Sequence, residues 1–347
     1  MKVIIVDTVL SYHGFKCRWL DFSDHLRSLD WVESCDFLCA YSDQPIDVEY
    51  MKVGEFDMEM QLRIELLPLL KSADDDTIFV FTNAMNSLVI KMHEYRSISN
   101  KGFKMIGFWN DISRVSHGMI RKIYRPSDLS WLKQYEKSVA YCYDYNLYTS
   151  EMEKYGLDQL ELSSKSGKLI ECPYPFDISF YKSFDGVASN NKSDIAIFTD
   201  VTVDEHNKQF QDFFRKTFKN LEFYNINSPQ LNIDMYMGGL NRAKVVVSTS
   251  RYDINPYSVI EAMAYGCYPL LPDIKIYKKL FQSKYLYNRH ILKPPLLNFV
   301  RKGKSVFDII NNLADIYDRE EIRNDAKSIV DKFYSSDKFK KILCQIN

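Results

Sequence analysis

At 347 residues the chain is longer than one hydrophobic core usually grows, which predicts two domains, and 46 % apolar with 26 % charged residues is ordinary for a folded protein and excludes disorder. No apolar run approaches the roughly 20 residues that a bilayer-spanning helix needs, so no membrane is expected as a partner. A net charge of −1 denies the overall basic character of an obligate nucleic-acid binder but leaves room for a local basic surface.

The first apolar run, Lys2–Val6, ends in Asp7 and lacks the small-residue cleavage site of a secretory signal; it predicts a first buried strand and a cytoplasmic protein. The seven cysteines (17, 35, 39, 142, 172, 267, 344) are odd in number and scattered, which fits reduced thiols in that compartment. Cys35 and Cys39 have no second ligand pair nearby, so no structural metal is expected. Further strands are predicted at Phe37–Tyr41, Thr77–Phe81, Phe103–Trp109 and Val139–Tyr148. Helices are predicted across Met58–Leu70 and Ala84–Tyr95, where apolar residues recur at the helical period. Strands alternating with helices predict a parallel α/β sheet.

After a strand at Leu169–Glu171, two prolines in Cys172-Pro173-Tyr174-Pro175 enforce extended backbone, and Ser183–Ser193 is a polar linker. A boundary near 175–192 follows, dividing a first domain (1–175) from a second (190–334). The second alternation runs Asp194–Phe198 strand, Val203–Phe218 helix, Leu221–Asn225 strand, Asn232–Asn241 helix and Lys244–Ser248 strand. It continues with the helix Pro256–Tyr265, the strand Tyr268–Leu271 and helices near 304–317 and 319–334. The last segment, 335–347, has helical spacing and is expected to pack back on the first domain.

The most informative segment is Ser248-Thr249-Ser250-Arg251-Tyr252-Asp253-Ile254-Asn255-Pro256-Tyr257-Ser258-Val259-Ile260-Glu261-Ala262-Met263-Ala264-Tyr265-Gly266. A strand ends, a polar loop follows, and Pro256 preorganises a helix start whose free N–H groups and positive dipole end favour an anion such as a diphosphate. Glu261 lies about a turn and a half inside that helix. In open α/β sheets ligands sit beyond the carboxyl ends of the strands, and a carboxylate there suits paired ribose hydroxyls. Gly266 supplies the C-cap. A solvated loop before an ordinary amphipathic helix is the bland reading. Lys208, near the first turn of the second domain, and Arg251 compete for a phosphate-binding role; a solvated helix lysine is the alternative for the former. Neither a G-x-G-x-x-G nor a P-loop motif is present.

Asp253-Ile-Asn-Pro-Tyr-Ser-Val-Ile-Glu261 followed by Ala-Met-Ala-Tyr-Gly resembles the acid-x7-Glu donor signature of GT-B glycosyltransferases, with Asp in place of the commoner first Glu. The resemblance implies two Rossmann-like domains facing across a cleft, with a UDP-sugar as donor substrate and no tightly bound cofactor. It further implies Glu261 on the ribose, Asp253 at the transferred sugar, Tyr257 and Ser258 at the phosphate, and His13 in a loop near the donor. A divalent metal is not indicated, because Asp74-Asp75-Asp76 precedes a strand and reads as a solvated loop.

In the first domain, the strand Phe103–Trp109 places Asp111 just beyond its carboxyl end, where an inverting transferase needs a base; capping of the following turn is the competing role. The Trp-Asn-Asp-Ile ending is similar to the catalytic strand of bacteriophage DNA glycosyltransferases, which act on 5-hydroxymethylcytosine. From Ile112 to Arg125 the chain carries Arg114, His117, Arg121, Lys122 and Arg125 and no acid, a local charge suited to DNA phosphates, or else a solvated basic helix face. Trp109 and Tyr124 are candidates for stacking on an extruded base. The expectation is a monomeric phage-type enzyme that moves glucose or arabinose from a UDP-sugar to 5-hydroxymethylcytosine in duplex DNA. The rivals are a GT-B transferase for a polysaccharide, lipid, protein or tRNA acceptor, and a catalytically inactive binding module.

Overall fold

Parallel strands covered by helices on both faces must be apolar along their length, and the central strands Thr77–Phe81, Ala243–Val247 and Tyr268–Pro272 come close to that, whereas the edge strand Lys168–Glu171 is partly exposed. The computed structural model describes residues 1–10, 26–42, 50–52, 66–109, 126–162, 167–173, 193–199, 205–225, 233–250, 256–288 and 306–346. The chain divides into two units, Met1–Pro175 with Ser336–Asn347, and Phe176–Ser335.

The first unit holds β1 (Lys2–Leu10), β2 (Ser34–Ser42), β3 (Tyr50–Lys52), β4 (Thr77–Phe81), β5 (Lys104–Trp109), β6 (Tyr145–Tyr148) and β7 (Lys168–Glu171). They form one sheet in the order 3-2-1-4-5-6-7, every pairing parallel. Helices α1 (Leu88–Ser99), α2 (Pro126–Cys142) and α3 (Glu151–Asp158) connect the later strands. β4 is buried throughout, and Met105, Ile106, Phe108 and Trp109 of β5 continue the core.

Two expectations shift for identifiable reasons. The helix foreseen at Ala84 starts at Leu88, because the Asn83 and Asn86 side-chain oxygens accept the N–H groups of Met85 and Leu88 at 3.0 Å each and hold the chain in turns. The strand foreseen over Val139–Tyr148 is the end of α2 followed by β6. Val139 and Ala140 are buried on the helix, and the break falls at Asp144, whose carboxylate accepts the Met105 N–H at 2.7 Å and pairs with Arg96 at 2.6 Å. A short apolar run has no period that separates helix from strand. Of the predicted 58–70 helix, residues 66–70 are helical and the rest lie outside the described residues.

The second unit holds β8 (Ser193–Phe198), β9 (Glu222–Asn225), β10 (Ala243–Val247), β11 (Tyr268–Pro272) and β12 (Leu286–Tyr287), parallel and in the order β9-β8-β10-β11-β12. Its helices are α4 (Glu205–Thr217), α5 (Ile233–Arg242), α6 (Tyr257–Ala264), α7 (Lys275–Leu280), α8 (Val306–Asn311), α9 (Leu313–Ile316) and α10 (Arg319–Phe333). Counted within the unit, the strand order is the doubly wound 2-1-3-4-5 arrangement. The expected α/β class is therefore present in both units. α10 starts at Asp318, whose side chain accepts the N–H groups of Glu320 and Glu321 at 2.9 and 3.0 Å. It is tied down by Asp325, which accepts from the Tyr285 hydroxyl at 2.6 Å and from Gln282 at 2.7 Å; burial first, then this bond, holds the Tyr285 phenol far above its ordinary range. A last helix, α11 (Ser336–Ile346), belongs to the first unit, where the Ile346 carbonyl accepts from Lys104 Nζ at 3.2 Å. Among the described residues no helix is long and apolar enough to cross a membrane.

The helix carrying Glu261 ends as the sequence predicts. Gly266 has φ +79°, and its N–H and that of Cys267 bond back to Met263 and Ala262. A Cβ there would lie 2.4 Å from Arg319 Cγ, whereas at Gly238, in the middle of α5, it would meet nothing within 4 Å. Gly266→Ala is expected to lower stability by about 1–2 kcal/mol and Gly238→Ala to raise it by roughly 0.5–1 kcal/mol. Urea midpoints moving in opposite directions at constant m check both.

Candidate functional site

A doubly wound sheet binds ligands outside the carboxyl ends of its strands, where the order of connection reverses. In the second unit that point lies between β8 and β10. The bridge across it is explicit: Thr199, just past β8, donates its N–H to the Val247 carbonyl at the end of β10 at 3.1 Å, and its hydroxyl reaches the same oxygen at 3.5 Å.

The chain leaving β10 runs into hydroxyl side chains that stay buried. Ser248, Thr249 and Ser250 are all buried, a setting in which every polar atom needs a partner. Ser248 Oγ accepts from the Tyr277 hydroxyl at 2.8 Å and from the Ser250 N–H at 3.3 Å. Tyr287 donates to the Ser248 carbonyl at 2.9 Å. Tyr277 comes from α7 and Tyr287 from the edge strand β12, so elements that follow β10 in sequence clamp the start of the loop leading to α6.

α6 is apolar almost all round, which marks a helix buried on every side. Glu261 is its one acid and is only 2 % exposed. An ionised carboxylate is costly to bury without hydrogen-bond donors. Tyr236 of α5, itself 2 % exposed, meets that need by donating its hydroxyl to Glu261 Oε2 at 2.7 Å. α5 and α6 each enter from the carboxyl edge of the sheet. Tyr236 is the fourth residue of one and Glu261 the fifth of the other, which puts both about 5–6 Å along the axis from the helix start. Pro256 at the N-cap contributes no side-chain cap, and the first N–H groups of α6 have no partner within the helix. A carboxylate and a positive helix end thus stand at one edge, the combination needed for a hydroxyl-bearing anion.

The expected site residues fare differently. Glu261 stands at the switch-point edge. Tyr257 is buried, its ring packed on Tyr334 at 5.2 Å, so at that position the backbone N–H rather than the phenol is what faces the helix start. Ser258 is half-buried beside it, and Lys208 is exposed in the first turn of α4, which follows the carboxyl end of β8. Asp111, Asp253, Arg251, His13, Arg114, His117, Arg121, Lys122 and Arg125 lie outside the described residues, as does Tyr124.

Trp109 is corrected. It is 1 % exposed, and its indole N–H donates to Asn146 Oδ1 at 2.8 Å while the Asn146 amide donates to the Ala140 carbonyl at 3.0 Å, so this ring belongs to the core and cannot stack on a base. An exposed aromatic stands instead on α2: Trp131, 67 % exposed, lies parallel to the half-buried Tyr135 at 5.5 Å. Asp74 accepts from Thr77 Oγ1 at 2.9 Å and from the Asp76 N–H, and the Thr77 bond holds its carboxyl below the usual range: a turn cap, as its loop position suggests.

Tyr236, Thr199, Ser248, Tyr277 and Tyr287 were not foreseen from the sequence. The signal that links Tyr236 to Glu261 is topological: two helices that start at one edge bring their first turns together.

No protein-family model matches the chain. Solved structures share its fold over its whole length. They include a sucrose-phosphate synthase from Thermosynechococcus elongatus (10 % identity, TM-score 0.61, covering 100 % of this chain and 98 % of that one). The Anabaena protein HepE, in complex with UDP and glucose, is similar at 12 % identity and TM-score 0.62, covering 100 % and 99 %. An alpha-glucosyltransferase in complex with UDP-glucose and DNA containing an abasic site matches at 13 % identity and TM-score 0.56, again over 100 % and 99 %. The chain therefore has the GT-B glycosyltransferase fold.

The Ser248–Tyr277 clamp is testable by a double-mutant cycle. Tyr277→Phe and Ser248→Ala should each cost about 1–3 kcal/mol by stranding a buried partner. The double variant should be less destabilised than the two singles added together, by roughly 0.5–1.5 kcal/mol. Urea unfolding of the four proteins gives the cycle, and strict additivity would show that the clamp carries no coupling.

Proposed function

We propose that this chain is a UDP-sugar-dependent glycosyltransferase whose acceptor is 5-hydroxymethylcytosine in duplex DNA. The observation that carries the donor half is Glu261. A nearly buried carboxylate, fixed by Tyr236 and presented at the switch-point edge of the second sheet, has the chemistry to accept paired ribose hydroxyls. The start of α6, one turn away, suits the diphosphate, with Lys208 and Arg251 as the cations that offset its charge. Structures of the same fold hold UDP with glucose, or UDP-glucose with DNA, which supports the reading.

In the transfer, the hydroxymethyl oxygen attacks the anomeric carbon of the sugar. A new C–O bond forms, the bond to the β-phosphate oxygen breaks with its electron pair, and UDP leaves. Asp111 takes the acceptor hydroxyl proton, Asp253 holds the transferred sugar, and His13 contacts the sugar or the diphosphate of the donor. Both acids are assigned from their sequence positions, Asp111 two residues beyond β5 and Asp253 three residues before Pro256. The acceptor half rests on the acid-free basic run 112–125, which leads into α2 with its exposed Trp131 stacked on Tyr135. Lysines and arginines there neutralise phosphates, and no overall positive charge is needed for a local patch to do so.

The test is incubation with UDP-glucose or UDP-arabinose and hydroxymethylated duplex DNA, followed by nucleoside digestion and mass spectrometry. Glycosylated hydroxymethylcytidine is expected. Asp111→Asn should lower kcat by about 100-fold or more while UDP binding is kept. Transfer to a saccharide or lipid acceptor with none to DNA would replace the acceptor and leave the donor assignment standing.

A further inference from the structure

We infer that Tyr236 is a positioning residue that makes the donor site discriminate ribonucleotides from 2′-deoxyribonucleotides. The inference rests on Glu261 being the ribose ligand, as proposed above, and extends it to a residue that does not touch the donor.

The geometry is that of a fixed acceptor. The Tyr236 hydroxyl donates to Glu261 Oε2 at 2.7 Å, and both side chains are 2 % exposed. The Tyr236 backbone sits in the first turn of α5, and the helix continues into β10, the central strand of the sheet. One residue on, Met237 Sδ accepts from the Tyr265 hydroxyl at 3.3 Å, which ties the same turn of α5 to the end of α6. Tyr236 therefore cannot follow Glu261 if the carboxylate swings, and the carboxylate cannot swing without losing a buried bond. The terminal torsion of a glutamate is otherwise broad, so a phenol on one oxygen selects one plane out of many.

Rigidity of this kind decides selectivity. A mobile carboxylate facing a sugar that lacks one hydroxyl reorients toward the hydroxyl that remains and recovers part of the loss. A carboxylate held in one plane cannot do so, and the geometry it presents no longer matches the sugar. Sites built to bond a hydroxyl reject the analogue lacking it for that reason. Glu261 supplies the bond, and Tyr236 supplies the intolerance of its absence.

The experiment is calorimetric titration of UDP and 2′-deoxy-UDP into wild type, Tyr236→Phe and Glu261→Gln, with thermal unfolding to confirm that each variant is folded. Wild type is expected to prefer UDP by about 10- to 100-fold, the worth of a hydrogen bond to a charged group. Tyr236→Phe should weaken UDP and bring the two affinities within roughly threefold, and Glu261→Gln, which keeps the shape, should narrow the same ratio. A Tyr236→Phe protein that weakens both nucleotides alike, or leaves the ratio at its wild-type value, overturns the inference while the donor site stands. If Tyr236→Phe does not fold, a wild-type ratio in Glu261→Gln overturns it equally. If wild type binds neither nucleotide, the proposed function falls and the inference with it.

Discussion

When parallel strands end together, the last carbonyls of the central strands face a region with no further strand to satisfy them. In each sheet a threonine just past one central strand donates to a carbonyl of the neighbouring strand, the last one of β10 in the second unit and one midway along β1 in the first. Thr82, just past β4, donates its N–H to the Val6 carbonyl of β1 at 3.1 Å, with its hydroxyl at 3.4 Å. Thr199 does the same for Val247 across β8 and β10. Each bond spans the pair of strands at which the connection order reverses, so the opening that a doubly wound sheet leaves for a ligand is fixed by a bond at its base. In the second unit the chain runs from that fixed point straight into Ser248, which Tyr277 and Tyr287 hold.

Much of this architecture is legible in the amino-acid order. β10 and α6 fall within a residue of where the β-branched run Lys244–Ser248 and the Pro256–Tyr265 pattern place them, and the Gly266 cap adopts the conformation that only glycine takes without strain. These features are local, so short-range rules reach them. The Val139–Tyr148 run fails because what divides it into helix and strand is Asp144, whose partners Arg96 and Met105 lie about 40 residues or more earlier. Trp109 fails for a related reason: an aromatic at a strand end reads the same whether it faces a ligand or the core, and Asn146 is what commits it inward.

The tyrosines of the site were the least legible. With 24 in the chain, nothing in the sequence singles out the three that donate to Glu261 and Ser248. A phenol suits these places because its ring fills the core while its hydroxyl meets a buried oxygen, so the same side chain serves packing and polarity. Elsewhere in the same unit burial has its usual effect on a phenol, raising Tyr268 to about 12 while its hydroxyl donates to the Lys284 carbonyl at 2.8 Å. Glu261 in turn is buried where its helix is otherwise apolar, an arrangement that costs stability unless a partner is supplied, and α5 supplies it.

The placement of α11 bears on how the protein is made. Its residues follow the whole of the second unit in sequence yet belong to the first, where the Ile346 carbonyl caps Lys104 on β5. During synthesis the residues of the seven-stranded sheet leave the ribosome well before those of α11, and the whole sequence of the second unit is made in the interval. The first unit is thus an early start with a late finish. Until α11 has been synthesised the Ile346 carbonyl is not there for Lys104, so the first unit reaches its final set of bonds only after the sequence of the second has been made.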